Sequence, residues 1–237
     1  MALPVLTHPT FELEIPSTKE KITCRPFLVK EEKILLLAQE SGNPNDMIKA
    51  VKQIMTNCII EGTMDVGNAP TFDIEFIFLR LRANSVGQTS KFTIIDEETS
   101  EEIVNEVDLN AVEVQFNKDH TPNVKLNNDV NLTMKYPTYK SLELMAKTGE
   151  TDMTTEVTFD MIKSCIDKIY VGDEEVHELK DYSKKEVNDF IDSFTSENFR
   201  DVQAFFDTMP KLEHTIEYKV GKKNKTRVLS GLADFFS

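Results

Sequence analysis

Tryptophan is absent from this 237-residue chain, and cysteine, histidine and glycine are scarce, with three, four and eight copies. Cys24, Cys58 and Cys165 are odd in number and far apart, which argues against a disulfide framework and for reduced thiols. No apolar run approaches the roughly 18 residues a membrane-spanning helix needs, so no membrane partner is expected. The first stretch, MALPVLTHPTFELEIP, has neither a basic start nor a sustained apolar run, and no signal peptide is expected. His8, His120, His177 and His214 stand alone, without a Cys or His at ligand spacing, so no metal or cofactor is expected. The chain has no P-loop, no G-x-S-x-G, no H-E-x-x-H, no C-x-x-C and no dinucleotide-binding glycine pattern. Adjacent acids such as Asp173/Glu174 and Glu101/Glu102 say little in a chain with 41 carboxylates. These absences point away from an enzyme and toward a protein that binds or builds.

Charge is present in quantity and mostly of one sign. The net charge is −14, and between Glu150 and Glu217 there are 18 acidic and 7 basic side chains. Such a segment repels a phosphate backbone, so nucleic acid is not an expected partner. It is either a solvated helical face or a surface for a basic partner. A short basic cluster follows it at Lys219, Lys222, Lys223, Lys225 and Arg227.

The clearest local pattern is RPFLVKEEKILLLAQESG, from Arg25 to Gly42. Pro26 keeps Arg25 extended, an apolar run follows at Ile34–Ala38, and Gly42 offers a left-handed stop. Pro44 then suits a first-turn position, ahead of Met47, Ile48, Val51, Ile54, Met55 and Cys58 at helical spacing. Before them, Phe11, Leu13 and Ile15 alternate with Glu12 and Glu14, which predicts a strand, with residues 22–27 as its hairpin partner. PTFDIEFIFLRLRANSVG, from Pro70, separates into two polar stripes, Asp73/Arg80/Asn84 and Glu75/Arg82, with apolar faces between them. A helix of this kind is packed on both sides, and we read it as central. Ile34 and Leu37 are expected to pack against its Phe72/Phe76/Leu79 face.

From residue 88 to 136 the apolar period shifts to two, which predicts short strands. Phe159, Ile162, Ile166 and Ile169 then fit one helix, and Ser183 with Glu186 forms a capping box ahead of another. The chain closes on a hairpin with a basic tip and on Leu232, Phe235 and Phe236, which share one face of a terminal turn. The expected architecture is α+β: a mainly helical body with an N-terminal β-hairpin, a small antiparallel β insert and a C-terminal β-hairpin. Three segments follow: 1–87 with the N-terminal hairpin and central helix, 88–136 as the insert, and 137–237 as an acidic helical segment with the terminal hairpin and apolar tail.

Several ordered blocks resemble one family. RPFLVKEEKILLLAQESG at Arg25, AVKQIMTNCI at Ala50, PTFDIEFIFLRLRANSVG at Pro70, VDLNAVEV at Val107, MKYPTY at Met134, FFDTMPKLEH at Phe205 and GLADFF at Gly231 are similar to the T4-type phage baseplate hub subunit and assembly family. The resemblance spans nearly the whole chain. It implies a non-enzymatic protein of contractile-tail phages that binds other baseplate hub proteins during assembly in the host cytoplasm, or alternatively stays in the virion as a hub subunit. It carries over no catalytic residue and leaves the oligomeric state open. The expected partner-binding residues are Leu232, Phe235 and Phe236 on the terminal turn and Lys222, Lys223 and Lys225 at the basic tip. The terminal turn has a second reading, in which it tucks into the chain's own core.

Overall fold

The computed structural model describes residues 6–96, 102–146, 155–172, 175–221 and 223–236, the last segment without the side chains of 233 and 236. The chain forms two compact units. Unit 1 is discontinuous, Met1–Gln115 with Lys211–Ser237, and unit 2 is the stretch Phe116–Pro210 between them. Neither boundary coincides with the three segments expected from sequence.

Unit 1 begins with strands β1 (Phe11–Glu14) and β2 (Lys21–Cys24), paired antiparallel from Phe11↔Cys24 to Glu14↔Lys21. Helix α1 (Val29–Ser41) ends where Gly42 takes a left-handed φ of 63° and its N–H donates to the Gln39 carbonyl. Helix α2 (Pro44–Cys58) starts at once, with the Asn43 side chain accepting from the Asn45 N–H and Pro44 in the first turn. It buries Ala50, Val51, Ile54, Met55 and Cys58 on one face. Strand β3 (Ile59–Glu61) completes a sheet of order β1-β2-β3. Helix α3 (Thr71–Ser85) is buried around most of its circumference, with Phe72, Ile74, Ile77, Phe78, Leu79, Leu81 and Ala83 inside. Strands β4 (Thr89–Ile95) and β5 (Glu102–Asp108) form a two-stranded ladder, and β6 (Glu113–Gln115) is the last element before the chain leaves the unit.

Unit 2 carries β7 (Asn123–Lys125), β8 (Val130–Met134), α4 (Tyr139–Ala146), α5 (Thr155–Cys165), β9 (Ile166–Val171) and β10 (Glu175–His177). A 3-10 turn at Leu179–Asp181 leads to α6 (Lys184–Asp192) and α7 (Ser196–Thr208). Its sheet has the order β10-β9-β8-β7. The core joins Leu132 and Met134, Ile166 and Ile169, Ile162 and Cys165, and Ile191, Val202 and Phe205. Ser183 and Glu186 make the expected reciprocal capping box on α6. Thr195 and Asn198 do the same for α7, and Asn198 also donates to the Leu126 carbonyl at 2.7 Å.

The chain then returns to unit 1 as β11 (Lys211–Val220), β12 (Lys223–Ser230) and α8 (Gly231–Phe236). β11 pairs with β12 along its length and with β6 through Leu212↔Val114, giving the order β12-β11-β6.

The expectation of a mainly helical body is wrong. Twelve strands in four sheets accompany eight α-helices among the described residues, so the fold is a mixed α+β one. Two misreadings produced the error. Ile166 and Ile169 extend the spacing of α5, yet Ile166–Val171 is a strand in the middle of the unit 2 sheet, where its β-branched and aromatic residues favour a pleated surface. The strands of residues 88–136 do not form a local insert either. β4 and β5 pair together, β6 joins β11, and β7 and β8 join β9.

Candidate protein-docking site

The Arg25–Gly42 motif owes its geometry to a charged residue. Glu31 is fully buried, and its carboxylate accepts from Arg25 Nη2 at 2.9 Å, the Leu28 N–H at 3.0 Å and Asn57 Nδ2 at 3.2 Å. Burial pushes this carboxyl up, but the Arg25 and Leu28 hydrogen bonds outweigh it and hold the group below its ordinary value. With Glu31 inside, Ala38, seven residues on, is also buried. The same helical phase turns Leu36 and Leu37 outward, 57% and 55% exposed, along with Val29 at 80%. Leu37 is therefore not a core residue, and Ile34 is only half-buried. α1 packs chiefly on α2, and the core expected of Ile34 and Leu37 is supplied by α2.

Of the expected central-helix residues, Phe72 and Leu79 are buried and Phe76 is half-buried. The polar residues of α3 each meet a specific environment. Asp73 accepts from the Ser17 N–H at 3.0 Å and from its hydroxyl, pinning the β1–β2 turn. Arg80 donates to the Leu109 carbonyl, to the Val112 carbonyl at 2.8 Å and to Glu113 at 2.7 Å. Its guanidinium carbon also lies 4.6 Å from the centre of the Phe76 ring. Glu75 faces α8, with Oε1 close enough that a Cβ added at Gly231 would sit 3.4 Å from it. Burial pushes its carboxyl up to about 7.

Between these elements lies an apolar groove of about 620 Å³. α1 supplies Glu32, Leu35, Leu36 and Gln39, at the i, i+3, i+4, i+7 spacing of one helical face. α2 adds Met47 and Val51, and α3 and its end add Phe78, Arg82 and Val86. Phe27 and Leu232 complete the wall. Among the described residues Arg82 is the cation of this lining. Burial lowers its affinity for the proton and the Glu32 charge partly restores it. Leu36 both lines the groove and is exposed, so the wall of the groove reaches the surface of α1.

The terminal turn divides in the structure. Leu232 lines the groove, whereas Phe235 is fully buried in unit 1, its carbonyl accepting from the Ser90 hydroxyl at 2.7 Å. A partner cannot reach Phe235 without opening the core. The Phe236 side chain and Lys222 lie outside the described residues, as do Glu101, Asp173 and Glu174. Lys223 is exposed, and Lys225 pairs with the buried Asp96 at 2.6 Å. The basic tip is thus partly used inside the unit. Sequence reasoning missed Arg25, Glu31 and Arg82. No local pattern in the sequence marks them, because their roles depend on tertiary partners.

Among the described residues no group of three or more His, Cys, Asp and Glu could hold a metal ion. No described helix is long and apolar enough to cross a membrane. The three cysteines are buried and unpaired, with burial pushing Cys24 up to about 12 and Cys165 up to about 11. These thiols are inert at neutral pH. The feature of unit 1 able to receive another molecule is the apolar groove. No curated protein and no solved structure matches the chain. The family model described as T4 bacteriophage base plate protein matches residues 8–237, nearly the whole chain, and the chain belongs to that family.

Proposed function

We propose that this baseplate protein is a hub assembly factor that binds other hub components in the host cytoplasm while the tail is built. The observation that carries the reading is the apolar groove of unit 1, whose wall includes the exposed Leu36, with Leu37 and Val29 also exposed on α1. Apolar grooves that reach the surface commonly mark protein contacts. The occupant that fits is an apolar helical segment of another hub protein lying along α1. Leu232 belongs to the binding wall, and no catalytic step is part of the proposal.

Two measurements test it. The chain is co-expressed with the phage's other hub proteins and isolated by affinity capture, with a complex expected. Purified virions are then analysed by quantitative mass spectrometry. Absence of the chain from virions supports an assembly factor that departs, and stoichiometric copies favour a permanent hub subunit. If no hub protein is captured, the assembly reading fails.

A further inference from the structure

Strand β12 is the outer strand of the β12-β11-β6 sheet. The direction of its free hydrogen-bonding groups follows from two observations. The Ser230 N–H donates to Asp234 Oδ2 at 2.8 Å rather than across the ladder to Glu213, its pairing partner. In an antiparallel ladder the main-chain groups of alternate residues point the same way. Asn224, Thr226 and Val228 therefore turn their N–H and C=O groups away from β11. No hydrogen bond to these groups is recorded among the described residues, and their side chains are exposed, Val228 by 52%. α8 closes the edge at Ser230, and among the described residues no strand pairs with it from 224 to 228.

The other face of this edge carries charge of one sign. Lys223, Lys225 and Arg227 alternate with the three residues above, and Lys223 and Arg227 are exposed while Lys225 holds Asp96. Cationic side chains on an edge discourage pairing with a like edge. Two copies of β12 placed side by side would bring lysine and arginine against lysine and arginine. The same charge favours an incoming strand with carboxylates at every second position, since alternate residues of an added strand share the face of Lys223 and Arg227.

We infer that the β12 edge of unit 1 is a strand-addition site for an extended acidic segment of a partner protein, with carboxylates at alternate positions and β-branched residues between them. Main-chain hydrogen bonds to Asn224, Thr226 and Val228 supply the attachment, and Lys223 and Arg227 select the sign. The site is separate from the α1 groove and stands or falls independently of the hub-assembly reading.

The test uses the full chain and a fluorescein-labelled peptide of alternating Glu and Thr, about seven residues long to match a typical strand, with a Lys-for-Glu peptide as control. Saturable binding of the Glu peptide is expected, weakening as salt is raised. Hydrogen exchange should slow at Thr226 and Val228. Thr226→Pro removes only an outward N–H, a position where an edge strand tolerates proline, and should abolish binding with unchanged melting. Lys223→Glu with Arg227→Glu alters exposed side chains alone, keeps the fold, and should weaken binding at least about tenfold. Equal binding of the Lys peptide, no change on Lys223→Glu/Arg227→Glu, or concentration-dependent self-association that displaces the peptide would overturn the proposal.

Discussion

The two units are stabilised by different means. Unit 2 is continuous in sequence and has a core of aliphatic and aromatic side chains, with no fully buried charged residue among those described. Unit 1 is assembled from two distant stretches of chain, and among the described residues the buried charged ones lie in it: Glu31, Asp73, Arg80 and Asp96. Three of them tie elements within the first stretch, and Asp96 with Lys225 joins the first stretch to the second. Glu31 ties Arg25 and α1 to Asn57 of α2, and Asp73 ties α3 to the first turn. Arg80 ties α3 to the approach to β6, and Asp96 ties β4 to β12. Apolar burial is non-directional and suffices where the chain order already brings elements together. In a discontinuous unit, directional charged bonds distinguish one assembly from many compact alternatives, and that is the role we assign them here.

The comparison is broken most sharply by removing one anchor from each unit. Glu113 is mostly exposed, so Arg80→Ala chiefly leaves two carbonyls without their donor and should cost about 2–4 kcal/mol. Phe205→Ala should cost unit 2 a similar amount, about 3–5 kcal/mol, through a cavity. Since the chain has no tryptophan, hydrogen exchange read by mass spectrometry is the suitable probe. Arg80→Ala should accelerate exchange across residues 1–115 and 211–237, with β11 and β12 affected together with α3. Exchange confined to α3 would contradict the linking role.

Acidity should move the two units in opposite directions. The Glu75 carboxyl, raised by burial from 4.5 to about 7, contributes stability that is full below about pH 4.5 and is lost as pH rises through 7. Glu75→Gln should therefore raise the stability of unit 1 at pH 8 by about 1–3 kcal/mol and have little effect at pH 4.5. In unit 2, His120 lies within 5.0 Å of the Phe205 ring centre and 5.6 Å of Tyr136. Its Nδ1 meets the Thr208 hydroxyl and its buried Nε2 has no hydrogen-bond partner. Burial lowers its affinity for a proton, so its contribution is full above pH 6.5 and is lost as pH falls through the lowered value. This effect should appear as faster exchange in 116–210 as the solution is made acid, and vanish in His120→Phe. Parallel pH responses in both units would show that other groups dominate.

What was legible in the sequence was local. Gly42 as a stop, Pro44 in a first turn and the Ser183/Glu186 box are decided within a few residues, and each is found in place. The doubly packed α3 was legible because its polar residues fall on two stripes. Sheet partners were not, because alternation identifies a strand without naming its neighbour, as β6 and its distant partner β11 show. Nor was the phase of α1. Ile34, Leu35, Leu36 and Leu37 cover every direction of a helix, so the face turned inward was set by Glu31, whose burial depends on Arg25, Leu28 and Asn57. The groove escaped notice for a related reason, since its wall comes from α1, α2, α3 and α8, and periodicity within one helix does not reveal such a surface.

The smallest effect on stability belongs to the outer face of α1, and the account rests on it. Leu36→Glu with Leu37→Glu replaces exposed side chains, so the change in stability should stay within about 0.5 kcal/mol per site. The decisive measurement is affinity capture of co-expressed hub proteins by this double variant beside the parent chain, with melting recorded for both. Unchanged melting and loss of the captured partner are expected. Retention of the partner at the parent level by a folded double variant would contradict the claim that this face is the docking surface.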